Sequence, residues 1–155
     1  MPESPPSFII YLIMNDEISK IPASGFSDCA CLRPLPRLVV RGLELFNAGD
    51  YFQAHEFLEE AWRGEPDPIR ELYRGILQVG VGFYHIQRRN YNGAHKLFQR
   101  ALGWLAPFLP ICQGVNVEKI YTLTTKIDAA LIRSLPNPSR PVLESLFFTI
   151  SFTLI

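Results

Sequence analysis

The stretch from Ile69 to Arg89 constrains the fold of this chain most. Its middle, Ile76 to Tyr84, carries no charged residue, and the stretch is longer than the usual 3–10 residues of a strand. Glycines stand at positions 75, 80 and 82, although glycine weakens a helix. Since small residues allow another helix to come close, we predict that this stretch is the central helix of the domain.

Turn and cap signals divide the rest of the chain into further helices. Gly49 is a natural helix stop and Asp50 an N-cap, whereas Gly64 to Pro68 is a turn rich in breakers. The predicted helices run from Arg37 to about Asn47, from Tyr51 to Arg63, from Ile69 to Arg89, from Ala94 to Phe108, and from about Val117 to Leu135. Because the connections are short, consecutive helices should be antiparallel. The predicted fold is all-α: a compact up-and-down bundle of about four to five helices, built from antiparallel helix hairpins.

The two ends of the chain lack this helical period. Residues 1–36 carry scattered prolines and are expected to form a loosely structured N-terminal tail, while residues 37–135 form the helical domain. Residues 136–155 are first proline-rich and then apolar, and we expect a strand-like or helical C-terminal tail. No segment before that tail alternates in the way that predicts strands.

Composition restricts the partners and the compartment. Fifteen basic residues balance fifteen acidic ones, which predicts no broad surface for nucleic acid or an anionic membrane. The three cysteines, Cys29, Cys31 and Cys112, show no framework of pairs, so we expect reduced thiols and a cytoplasmic protein. In a photosynthetic eukaryote, the plastid stroma is the alternative compartment.

Polar residues recur at helical spacing on two neighbouring helices. His55 and Glu59 are one turn apart and share a face, and Arg74, Gln78 and His85 form a stripe on the central helix. Burying such groups costs about 1–3 kcal/mol each unless they have partners. The candidate polar site comprises His55, Glu56, Glu59, Trp62, Arg74, Gln78, Tyr84 and His85.

Three interpretations of this site remain open from the residues alone. The first is a buried network that fixes helix register, with Glu59 paired to Arg74. The second is a pocket for a small ligand or a protein partner, lined by Trp62 and Tyr84. The third is a metal-dependent or hydrolase-like enzyme, because His-Glu-x-x-Glu shares its first half with the zinc-protease motif; there Glu59 replaces the second histidine, and Arg74 would repel a cation.

A short internal echo links two of the predicted helices. Tyr51, Ala54, His55 and Ala61 reappear 40 positions later as Tyr91, Ala94, His95 and Ala101. Each copy follows a helix and a tight turn, as in a helical-hairpin repeat; two amphipathic helices that share small packing residues would look the same. His95 is interpreted as a surface or packing histidine, and Trp104 as a core residue.

The combined motif resembles a known family. Phe46-Asn47-x-Gly49-x-Tyr51-Phe52-x-Ala54-His55-Glu56-x-Leu58-Glu59-x-x-Trp62 is followed by Tyr73-x-Gly75-Ile76-Leu77-Gln78, Tyr84-His85, Asn90 and Gly93-Ala94. This pattern is similar to that of the DUF309 family of bacterial, archaeal and plastid-lineage proteins, over about Arg37 to Val117. Arg74 stands where relatives often have Gln or Lys. The resemblance implies a compact all-helical domain and no particular activity.

We therefore predict a binding or scaffold domain for an unknown small ligand or protein partner, with no cofactor, no bound metal and an undetermined oligomeric state. The alternative is an enzyme that uses the His55-Glu56-x-x-Glu59 motif, with a glutamate as base and His55 as ligand or acid–base group. Convergence of His55, Glu59 and His85 at an open pocket would favour the enzyme, whereas a sealed network would favour a structural role.

Overall fold

The computed structural model describes residues 28–154 and confirms an all-helical domain. Its α-helices are α1 (Arg37–Asn47), α2 (Tyr51–Gly64), α3 (Arg70–Gln87), α4 (Tyr91–Leu105), α5 (Val117–Ser134) and α6 (Arg140–Glu144). Short 3₁₀ helices span Asp28–Leu32 and Ala106–Phe108. Each of the first five helices packs against the next one in the chain, as a bundle of helical hairpins requires. The loose tail predicted for residues 1–36 lies outside the described residues up to position 27.

Side-chain caps set where the helices begin. The Asp50 carboxylate accepts a hydrogen bond from the backbone N–H of Gln53 at the start of α2, and the Asn90 side chain accepts one from Gly93 at the start of α4. The predicted start of the fourth helix at Ala94 was therefore wrong by three residues, because Asn90 is the cap and Gly93 already lies in the first turn. Helices α2 and α4, which begin at Tyr51 and Tyr91, thus start with the same kind of side-chain cap, in agreement with the 40-residue echo.

Glycines bring α3 close to its neighbours, as predicted for the central helix. A Cβ atom at Gly75 would lie 2.7 Å from Leu105 Cδ2 of α4, and one at Gly80 would lie 3.3 Å from the Phe46 ring of α1. A side chain at either position would fit only if the neighbouring residue moved, so glycine is favoured at both positions. The α3 segment from Leu72 to Phe83 is wholly buried, and no helix within residues 28–154 is long and apolar enough to cross a membrane.

A small β-structure that the sequence did not predict closes one end of the bundle. Strands β1 (Ile111–Cys112) and β2 (Val115–Asn116) pair antiparallel, and their two-residue turn places Gln113 and Gly114 at φ of 50° and 78°. The apolar end of the chain joins this structure, because Phe152 forms a bridge with Val115. Strands of two residues are too short to show alternation, so period-2 patterning could not reveal them.

The C-terminal segment is packed rather than loose. The Phe147 ring stacks on Phe83 of α3 with centroids 4.2 Å apart and planes within 8°. Leu143 and Ile150 are buried in the core, and the Asn47 side chain hydrogen-bonds the backbone of Ile150 in both directions. This segment therefore covers the aromatic end of α3, a role that its composition alone did not indicate.

The expectation of three reduced cysteines was wrong. Cys31 and Cys112 form a disulfide across 81 residues of sequence, and Cys29 is the free thiol, exposed on the surface. The bond fastens the Asp28–Leu32 turn to β1. The prediction failed because C-x-C spacing shows no partner, and the partner of Cys31 lies in a segment that pattern analysis assigned no structure.

Candidate functional site

The structure places seven of the eight predicted site residues in three groups and leaves the eighth apart from them. His55 and Glu59 lie buried on α2, and Trp62 and Arg74 meet between α2 and α3. Gln78 is fully buried one turn beyond Arg74, whereas Tyr84 and His85 lie at the other end of α3. The eighth residue, Glu56, is exposed on α2 and does not belong to the buried group.

His55 and Glu59 form a buried pair with exposed fractions of 3% and 5%. The His55 Nδ1 atom lies 2.9 Å from the Phe52 carbonyl oxygen, which can only accept, so Nδ1 donates. The other ring nitrogen, Nε2, lies 3.4 Å from Glu59 Oε2. Since Nδ1 already carries a proton, the pair is attractive when His55 is the doubly protonated imidazolium.

Glu59 also pairs with Arg63, whose Nη2 atom lies 2.7 Å from Glu59 Oε1. Arg63 is one turn further along α2, and its side chain is 56% exposed. The expected pair of Glu59 with Arg74 is therefore wrong: the described ion pair of Arg74 is with Glu71, at 3.4 Å. Glu59 pairs with Arg63, one turn away on the same helix, rather than with a residue of the neighbouring helix.

Arg74 lies between the two tryptophan rings of the chain. Its guanidinium carbon is 4.3 Å from the Trp62 ring centroid and 4.5 Å from that of Trp104. Both distances are well inside the roughly 6 Å range of a cation–π interaction. This stack joins α2, α3 and α4 at one point. Trp104 was predicted as a core residue and is 4% exposed, but its contact with a cation was not predicted.

Further arginines surround this stack. The Arg70 guanidinium carbon lies 5.6 Å from the Trp62 centroid, and Arg70 Nε donates to Glu71 Oε1 at 3.2 Å. Arg100 precedes Trp104 by one turn of α4, and its buried Nη1 atom has no hydrogen-bond partner. Sequence analysis missed these residues because charged side chains at helix ends usually face solvent; the i, i+4 spacing of Arg70 with Arg74 was the available signal.

Tyr84 and His85 belong to the opposite end of α3. The Asn90 amide Nδ2 lies 3.3 Å from His85 Nδ1, and Arg88 Nη1 donates to the Tyr84 hydroxyl at 3.2 Å. The same Asn90 side chain caps α4, so His85 helps to hold the α3–α4 turn. His85 thus lies toward the opposite end of α3, and its described contacts do not meet the condition set for an enzyme, which was convergence of His55, Glu59 and His85 at an open pocket.

We expect the stability of the domain to fall as the pH drops below about 6.5. Burial, and then the nearby Arg88 charge, lower the pKa of His85. In this range the unfolded chain gains a proton at His85 that the folded chain does not bind, so acid favours unfolding. Denaturant unfolding of the wild type and of His85→Gln at about pH 7.5 and 5.5 measures this effect. The variant should lose less stability than the wild type; an equal loss would show that His85 plays no part.

A second imidazole–carboxylate contact links α4 and α5. His95 Nδ1 lies 2.8 Å from Asp128 Oδ1, and Gln99 Nε2 donates to Asp128 Oδ2 at 2.6 Å. The Asp128 side chain is 5% exposed and that of His95 is 36% exposed. His95 occupies the position equivalent to His55 in the 40-residue echo, which was the only signal for this contact. Within residues 28–154, no three His, Cys, Asp or Glu side chains group as metal ligands would.

Residues 39–97 match the model of the family described as a domain of unknown function, DUF309. The chain is 38% identical over 69 residues to the uncharacterized protein YpuF of Bacillus subtilis, a match that covers 43% of this chain and 40% of YpuF. It is 28% identical over 76 residues to an uncharacterized protein of Aquifex aeolicus, covering 48% of this chain and 23% of the relative. The matches thus span less than half of either relative.

The family match includes all eight predicted site residues, whereas Trp104, Cys112 and Asp128 lie beyond it. The Arg74 stack therefore combines two residues from the matched region with one tryptophan from outside it. The match agrees with the resemblance drawn from the motif: residues 39–97 of the chain are similar to the DUF309 family.

Proposed function

We propose that this domain is a binding module, and that it receives an acidic segment of a protein partner on one face of α2, α3 and α4. We call this surface the arginine–tryptophan face; it comprises Trp62, Arg63, Arg70, Arg74 and Trp104. The observation that carries the proposal is the guanidinium group of Arg74 stacked between both tryptophans, with two partly exposed arginines beside it.

Charge supports an acidic partner. Among the described contacts, the carboxylates Glu59 and Glu71 lie beside Arg63, Arg70 and Arg74, and the whole chain has a formal net charge of zero. Exposed guanidinium groups attract carboxylates and repel basic partners. The side chains of Arg63 and Arg70 are 56% and 42% exposed, so both are accessible to such a partner.

The chemistry of the side chains supports a protein interface. Arginine and tryptophan are enriched among the residues that contribute most to binding energy. Guanidinium groups bind carboxylates through paired hydrogen bonds. Arg74 and Trp104, at the centre of this face, are only 5% and 4% exposed, so a partner would bind the exposed side chains of Arg63 and Arg70 above a buried aromatic centre.

Tryptophan fluorescence tests the proposal, because the chain has two tryptophans and both belong to this face. Titration with an acetylated hexaglutamate peptide should change the emission spectrum in a saturable manner, and hexalysine should not. Added salt should weaken binding, because partly exposed charge pairs are screened. An emission spectrum unchanged by hexaglutamate at millimolar concentration would contradict the proposal.

Two arginine variants locate the effect. Arg70→Gln should weaken hexaglutamate binding roughly two- to fivefold, since a partly exposed charge pair is worth about 0.5–1 kcal/mol. Arg133→Gln removes an exposed charge from the last turn of α5 and serves as the matched control. Equal weakening in both variants would indicate a general charge effect and would count against a site on the arginine–tryptophan face.

A further inference from the structure

All three cysteines of the chain come together at one place in the structure. Cys29 and Cys31 stand two positions apart in the Asp28–Leu32 turn, and Cys31 is bonded to Cys112 of β1. Cys29 carries the exposed free thiol. Within the disulfide, Cys31 is half-buried and Cys112 is 1% exposed. A free thiol thus lies beside a disulfide whose outer sulfur is the more accessible one.

We infer that Cys29, Cys31 and Cys112 form a thiol–disulfide exchange site. The Cys29 thiolate attacks the Sγ atom of Cys31, a Cys29–Cys31 bond forms, and the Cys31–Cys112 bond breaks. Cys112 leaves as a thiolate and takes a proton from water, while the proton of Cys29 has passed to water. The disulfide count is unchanged, so the exchange needs no external oxidant or reductant.

Local geometry sets what the exchange requires. Residues two positions apart lie about 120° apart around a 3₁₀ helix, so the Asp28–Leu32 helix must unwind locally before Cys29 reaches the Cys31 sulfur. This short helix is held by few backbone hydrogen bonds, such as that from Arg33 N to Ala30 O at 3.2 Å, and Ala30 is its one residue in the hydrophobic core. The exchange is thus a local event rather than an unfolding of the bundle.

The exchange removes the covalent link between the Asp28–Leu32 helix and β1. The original bond ties the Asp28–Leu32 turn to β1 across 81 residues of sequence, whereas the new bond closes a loop within the turn. The remaining ties are hydrogen bonds: Gln113 N to Cys31 O at 2.7 Å and Gln113 Nε2 to Ala30 O at 3.1 Å. The site therefore switches between two oxidised forms: in one the Asp28–Leu32 helix is bonded to β1, and in the other it is not. Small thiols are further reaction partners of this site.

Disulfide mapping of the full oxidised chain tests this inference. The protein is incubated without added thiol at increasing pH, quenched with acid, alkylated in denaturant under acidic conditions and mapped by mass spectrometry without reduction. A form with Cys29 bonded to Cys31 and Cys112 alkylated should accumulate, and faster at higher pH because the thiolate is the nucleophile. A chain that holds only the Cys31–Cys112 bond at every pH overturns the inference. A form that instead bonds Cys29 to Cys112 overturns it as well.

Two variants separate the exchange from general reactivity. Cys29→Ser should show no second form, and dithiothreitol should open its disulfide several-fold more slowly than that of the wild type, because the internal thiol no longer moves the bond to the surface. Leu32→Ser alters an exposed residue of the same turn, 76% accessible, and keeps all three cysteines; it should exchange as the wild type does. Equal reduction rates for Cys29→Ser and the wild type would contradict the inference.

Discussion

Replacing Cys31 and Cys112 together with alanine should lower the free energy of unfolding by about 4 kcal/mol. The disulfide connects positions separated by 81 residues, so without it the unfolded chain gains the conformational freedom of a long loop. A domain of this size is stable by only about 5–15 kcal/mol. The loss should therefore appear as a large fall in the midpoint of urea or thermal unfolding.

Reduction of the wild-type protein controls for the change in side-chain volume. Cys112 is 1% exposed, so alanine there also removes packing contacts, whereas reduction leaves the sulfur atoms in place. Both treatments should shift the unfolding midpoint in the same direction, and reduction should account for most of the shift. A reduced protein as stable as the oxidised one would show that the bond does not constrain this fold.

The second large effect is expected at Gly82, where α3 meets α4. A Cβ atom there would lie 2.8 Å from Phe98 Cδ1, with the adjacent ring atom closer still. The Phe98 ring is fully buried, and the Phe83 ring centroid lies 6.0 Å away, so it has little room to turn aside. Gly82→Ala should therefore destabilise the domain by about 2 kcal/mol, because overpacking outweighs the gain in helix propensity.

Gly103→Ala provides the matched control on α4. Apart from its chain neighbours and the nearby backbone of α4, no atom lies within 4 Å of a Cβ at this position. Alanine should therefore stabilise the helix by about 0.5–1 kcal/mol. Denaturant unfolding of both variants measures the difference in sign. A destabilised Gly103→Ala, or a Gly82→Ala as stable as the wild type, would contradict the close approach of α3 and α4.

The helices could be predicted because their signals are local. Asp50 and Asn90 cap the helices that follow them, and the glycines of α3 indicated contacts that the structure contains. The β-hairpin, the disulfide and the packing of Phe147 on Phe83 depend on residues far apart in sequence. A single sequence contains no periodicity that pairs such distant segments, so these features could not be predicted.

The candidate site could be predicted only where its contacts lie within one helix. Helical spacing correctly placed His55 with Glu59, at 3.4 Å, because both lie on one helix. The partner of Arg74 could not be derived from spacing, since the choice between Glu59 and the rings of Trp62 and Trp104 depends on how three helices are oriented. His85 has the right spacing for the polar stripe, but it is a turn-stabilising residue that contacts Asn90.

The arginine–tryptophan face can be tested most directly through the two indole N–H groups of the chain. In ¹⁵N-labelled protein, Trp62 and Trp104 each give one indole resonance, and the two rings lie on either side of Arg74. Titration with hexaglutamate should shift both resonances with one saturable affinity, and Arg70→Gln should weaken that affinity. Resonances that stay in place while other parts of the domain respond, or no response at all, would contradict binding at this face.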